Sequence, residues 1–183
     1  MTGSNILLMI IALLGKIYIS IILLRFLLQM ARADFYNPIS QFIVKVTHPL
    51  LKPMRKIIPS IGRQDFASII LAYLVQLIII VILLLLQGQN VLLAFVNILI
   101  VSFIALLDTF VYLLFLIFIG NAILSWIAPD SRAPAAILIK QISNFVLAPL
   151  RRIIPPIGII DITPMIALIL LFFISNFIAQ LIA

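Results

Sequence analysis

Two aspartates, Asp65 and Asp161, each close a motif that the chain carries twice: PMRKIIPSIGRQD over 53–65 and PLRRIIPPIGIID over 149–161. Carboxylates related by an internal repeat have two chemistries open to them. If the repeats pack about a pseudo-twofold axis, both groups approach it at equal depth, where they would bind a cation or pair with Arg55 and Arg151. Alternatively, each serves only the helix that follows it, because a negative charge near a helix N-terminus is favoured by the dipole. The same motifs hold a second chemistry in Lys52, Arg55 and Lys56, and in Arg151 and Arg152. Such clusters suit anionic lipid headgroups, each cation contributing about 1 kcal/mol beside an anionic leaflet. The plainer reading is that they only set topology.

Lys16 and Asp108 interrupt apolar runs. An unpaired charge at the centre of a membrane helix costs about 2.5–3.5 kcal/mol on insertion scales, so a partner is expected for each. In the repeat register Lys16 corresponds to Tyr112, one helical turn from Asp108, which places both charges at similar depth and suggests a buried pair. The alternative is that both snorkel to the interface. Arg25, little more than a turn from the end of its run, is expected to snorkel. Gln76, Asn97, Asn121, Ser125 and Asn176 suit interhelical hydrogen bonds.

Enzyme chemistry has little to work with. His48 is the only histidine, and glutamate and cysteine are absent. No metal-ligand or nucleophile spacing occurs, so the reading is of a non-enzyme with no catalytic residue, metal or cofactor.

The elements that must position these groups follow from composition. Of 183 residues, 66% are hydrophobic and 9% charged, against about 25% charged in soluble domains; mean hydropathy is +1.39. A bilayer core of about 30 Å needs about 20 apolar helical residues. The runs 6–30, 66–87 and 164–181 meet that length, and Val91 to Ala128 exceeds it, so its crossing is placed at 102–127. The reading is an all-α membrane protein with four transmembrane helices, forming two parallel-repeat hairpins. Residues 1–87 are the first repeat, 88–101 a connector suited to an interfacial helix, and 102–183 the second repeat. The first run lacks the basic n-region and cleavage site of a signal peptide and is expected to remain as a crossing.

Ten of the twelve basic residues lie between the paired crossings, at 32–63 and 132–152. The positive-inside rule puts both segments in the cytoplasm and both termini on the outer side of the membrane. In the first segment Asn37 is an N-cap with Pro38 at N1, and Ile39, Phe42, Ile43 and Val46 form an apolar face, with Ser40, Gln41, Lys45 and Thr47 elsewhere. A short helix of this kind tends to lie in the interface. Pro49, Pro53 and Pro59 are expected to interrupt it. A turn at Gly62, and at Gly158 in the second copy, then leads into the returning crossing.

The string P-x-R-[KR]-x-x-P-x-x-G-x-x-D, found at Pro53, Arg55, Lys56, Pro59, Gly62 and Asp65 and again at Pro149, Arg151, Arg152, Pro155, Gly158 and Asp161, resembles the YggT family, also called YlmG. Asn37, Pro38, Thr47, Pro49 and Pro134 add to the likeness, although Ala133 and Phe145 stand where a full second copy would have Asn and Pro. The resemblance implies a bacterial membrane protein tied to osmotic stress and potassium homeostasis or to envelope organisation, and no catalytic activity. Two functions are expected from it: an organiser or assembly factor acting through the basic loops, or a small potassium or sodium channel component working as an oligomer. Membrane lipids are the expected partners, with a membrane protein or a second copy of the chain beside them. The +7 charge does not point to nucleic acid, because the cations are interleaved with prolines and aliphatics and no nucleic-acid motif is present.

Overall fold

The computed structural model describes residues 3–58, 64–153 and 162–182. Six helices run in the order α1 (Gly3–Met30), α2 (Pro38–Ile57), α3 (Phe66–Leu86), α4 (Phe95–Ile127), α5 (Pro134–Ile153) and α6 (Thr163–Ile182), with no strand among the described residues. Helices α1, α3, α4 and α6 are long and apolar enough to cross a membrane. Their runs are apolar all round, so faces turned away from the bundle, such as Ile78, Ile82 and Leu85 of α3, stay exposed and meet lipid instead of water. Helices α2 and α5 are amphipathic and sit together at one end of the bundle.

The helix ends have clear local causes. After α1, Arg32 takes a left-handed backbone conformation (φ 50°). The N–H groups of Arg32 and Ala33 then donate to the carbonyls of Gln29 and Leu28, the bond pattern of a Schellman motif. Gly88 (φ 71°) ends α3 in the same way, with its own N–H and that of Gln89 donating to Leu85 and Leu84. Asn37 caps α2: its side-chain oxygen accepts from the Ile39 N–H at 2.9 Å, with Pro38 at the first helical position.

Three expectations need correction. Pro49 and Pro53 do not break α2, nor does Pro149 break α5. All three lie on exposed faces, where the carbonyls they leave without a donor can be solvated. Helix α4 begins at Phe95, not near 102, because no breaker follows. At 33 residues it is about 50 Å long, so it must tilt or project beyond a 30 Å core, and the connector narrows to 87–94. The buried face of α2 is Ser40, Ile43, Thr47 and Leu51, while Phe42 is exposed. Polar Ser40 and Thr47 therefore face inward.

The paired crossings pack as hairpins, α1 with α3 and α4 with α6, and α4 also packs on α1, α3 and α5. A strict twofold relation would require α6 to touch α1 as α3 touches α4. It does not among the described residues. One core cluster joins the repeats beneath α2 and α5 through Leu27, Ile43, Phe118, Leu138, Ile142 and Leu147. Another holds α1, α3, α2 and α4 through Ile19, Ile22, Leu51, Ala67, Leu71 and Leu106. Gly15 lets α1 approach α3 closely, since a Cβ there would meet the Ile79 side chain at 2.3 Å.

Candidate functional site

The basic end of the first repeat is built around Asp65, the N-cap of α3, whose side chain is fully buried. Arg55, near the end of α2, forms an ion pair with its Oδ2, and the Ser68 hydroxyl donates to the same oxygen at 2.7 Å. Burial alone pushes this carboxyl up. The bonds from Arg55 and Ser68 and the charges of Arg55 and Arg25 outweigh that effect and hold it below the usual carboxylate range. Arg55 also donates to Gln29 Oε1 at 3.4 Å, tying α2 to α1.

Arg25 does not snorkel. It is 6% exposed and its Nη1 donates to Thr47 Oγ1 at 2.6 Å and the Val44 carbonyl at 3.2 Å. Thr47 in turn donates to the Ile43 carbonyl at 2.6 Å. The reason is that α2 packs over this part of α1, so the guanidinium finds a hydroxyl and a carbonyl where the sequence suggested an open interface. Thr47, Ser40, Gln29 and Ser68 belong to this site and were not assigned to it from sequence. The available signal was a cation inside an apolar run with no acid within helical reach, which obliges another segment to supply its partners.

Between α1 and α2 a cleft of about 440 Å³ opens beside these groups, lined by Arg25, Gln29, Ser40, His48 and Arg55 with Leu28, Ala33, Phe35 and Val44 as apolar wall. Lys52 and Lys56 point outward on exposed positions of α2. In α5, Arg151 is half-buried and donates to Asn144 Oδ1 at 3.0 Å. Arg152 is exposed at the edge of a groove of about 550 Å³ between α1, α4 and α5. The Asn37 Nδ2 donates to the Pro134 carbonyl at 2.8 Å and the Asp34 N–H to Gln141 Oε1 at 3.1 Å, so the two repeats are bonded at this end. Pro53 and Pro149 are exposed helix positions. Asp161, Pro59, Gly62, Pro155 and Gly158 lie outside the described residues, and with them the question of paired carboxylates.

Further along the bundle, Lys16 Nζ stands 3.6 Å from Asp108 Oδ2, on neighbouring helices. The two side chains are 48% and 31% exposed, so the pair lies at the bundle surface and is not enclosed. Lys16 also stands 5.2 Å above the Tyr112 ring. Together with Gln76 and Thr109 the pair lines a cleft of about 190 Å³ between α1, α3 and α4.

Comparison with known proteins agrees with the repeat. The sequence model of the CCB3/YggT family matches residues 4–86 and again 91–182. A protein of Pseudomonas aeruginosa, described only as uncharacterized, is 44% identical over 158 residues, covering 86% of this chain and 80% of its own. A Vibrio alginolyticus protein encoded in the proC 3' region, also uncharacterized, is 40% identical over 90% of this chain and 88% of its own. YggT of Escherichia coli K12 is 37% identical over 165 residues, 90% of this chain and 85% of its own. No solved structure matches the chain. With both halves matched by one family model and the tandem motif present in sequence, the chain belongs to the CCB3/YggT family of membrane proteins.

Proposed function

We propose that this chain is a non-catalytic, multi-pass protein of the bacterial inner membrane that organises lipid or protein partners in osmotic or envelope homeostasis. Its working surface is the end of the bundle formed by α2 and α5, facing the cytoplasm, with both termini periplasmic. One observation carries this reading: the segment that leads into and caps α2 is bonded to α5 through Asp34 and Asn37, and α2 packs on α5, so the two amphipathic helices form a single platform. Lys45, Lys52, Lys56, Arg132 and Arg152 are exposed on it, beside exposed Phe35, Tyr36 and Phe42. Cations next to membrane-seeking aromatics fit an anionic leaflet. In nanodiscs of mixed phosphatidylcholine and phosphatidylglycerol, wild type should gather phosphatidylglycerol around itself. The Lys52→Gln, Lys56→Gln, Arg152→Gln variant should lose most of that enrichment, and an unchanged lipid shell would overturn the reading.

The cleft that holds Lys16, Asp108, Gln76 and Thr109 favours a second reading, a cation-transport component. Potassium or sodium flux through the purified protein in liposomes under an osmotic gradient would support it. Absence of flux would leave the platform alone.

A further inference from the structure

We propose that the cleft between α1 and α2 of the first repeat is a binding site for one phosphate group, held by Arg25, Arg55, Ser40 and His48. This inference rests on the reading of the α2–α5 end as a lipid-contacting platform and gives that platform a single stoichiometric ligand.

Charge is the first argument. Among the described residues, Arg25 and Arg55 share one carboxylate, Asp65: Arg25 is repelled by Arg55 and attracted by Asp65. The cluster keeps one positive charge in a place where Arg25 is 6% and Asp65 0% exposed. Uncompensated charge in such surroundings calls for a counterion. Unused donors are the second argument. The Ser40 hydroxyl is buried, with the residue 4% exposed, and has no hydrogen-bond partner among the described residues. The Arg55 Nε is buried and has no partner among the described residues either. Both residues line the cleft, alongside His48. A tetrahedral oxyanion spreads several acceptor oxygens toward several donors at once, and the guanidinium fork matches a pair of phosphate oxygens in geometry. The apolar wall of Leu28, Ala33, Phe35 and Val44 gives a glyceride backbone somewhere to lie.

The second repeat is a natural control. At the same register, Asn121 stands in place of Arg25, Ala136 in place of Ser40 and Asn144 in place of His48, while Arg151 matches Arg55. Ser143, the counterpart of Thr47, is buried with no hydrogen-bond partner among the described residues. The helix pair is retained there without the anion-binding set. The fold by itself therefore does not require Arg25, Ser40 and His48.

The test uses the purified full chain in detergent and native mass spectrometry with short-chain phosphatidylglycerol, short-chain phosphatidylcholine, inorganic phosphate and glycerol 3-phosphate as probes. Wild type should hold one equivalent of phosphatidylglycerol. Ser40→Ala, which copies the second repeat, should weaken binding about tenfold. Arg25→Lys, which keeps the charge and loses the fork, should weaken it at least as much, and Arg25→Gln further. Competition by inorganic phosphate or glycerol 3-phosphate would identify a soluble phosphate as the source, and binding of the lipid without such competition a headgroup. If no phosphate-bearing probe binds at one equivalent, or if Ser40→Ala and Arg25→Lys both bind as wild type does, the proposal is overturned. The Lys52→Gln, Lys56→Gln, Arg152→Gln variant should keep the single equivalent while losing the lipid shell, so the site and the platform fail separately.

Discussion

Asp65 is held ionised by groups that reach it from two helices, Arg55 of α2 and Ser68 of α3. Its carboxyl lies below the usual range, so its stabilisation is complete above the unfolded value of about 3.9 and is lost as pH falls through the lower folded value. The thermal midpoint in detergent should drop below about pH 4. Asp65→Asn should remove that part of the acid dependence and lower stability at neutral pH by about 2 kcal/mol; an acid limb identical to wild type would assign it to another carboxylate. For Lys16 and Asp108, 3.6 Å apart, alanine at either position should destabilise more than alanine at both. The cycle should give a coupling of about 1 kcal/mol, and additive losses would show the contact to be energetically empty. The repeat register put the two charges at one depth and suggested a buried pair; the two side chains do lie close, but at the bundle surface, because burial depends on which helix faces pack together. The partners of Arg25 were not legible, because Thr47 and Val44 lie on a different helix and come into reach only when α2 folds back over α1.

At the scale of elements, the two crossing ends with left-handed residues differ in one respect: Gly88 meets the requirement freely, and Arg32 pays for it. Arg32→Gly should raise stability by about 1 kcal/mol and Gly88→Ala should lower it by a similar amount, both measured by detergent thermal unfolding. Neither turn was marked in advance, because arginine is not a left-handed signal and the end of α3 was placed only by hydropathy. The N-cap at Asn37 was legible, since Asn before Pro at the start of an amphipathic run leaves little choice. The prolines misled. A proline spaced four residues from another lies on one helical face, and here that face is exposed, so the helix continues through both.

At the scale of the whole molecule, Asn37 does two jobs: its oxygen caps α2 and its amide nitrogen reaches the Pro134 carbonyl in the other repeat. Asn37→Asp should keep the cap and lose the link, costing about 1 kcal/mol less than Asn37→Ala, which loses both. The absence of cysteine allows a direct check of the inter-repeat contact: Asp34→Cys with Gln141→Cys should be joined by a short bifunctional thiol reagent, which spans the reach of the glutamine side chain, and no crosslink would separate the segment before α2 from α5.

What the sequence determined alone are properties carried by neighbours along the chain: the duplication, the presence of four apolar runs long enough to cross, the cap at Asn37 and the basic segments between paired crossings. Tertiary structure decided which side of each apolar helix faces protein, because lipid-facing and buried aliphatics read alike in a chain this hydrophobic. It also decided that α3, and not α6, closes the contact between repeats, that Ser40 and Thr47 turn inward, and that Arg25 is buried beside Arg55 and Asp65. A charge in a membrane protein must be satisfied by something, but its partner is chosen by helix packing in three dimensions and leaves no periodicity along the chain.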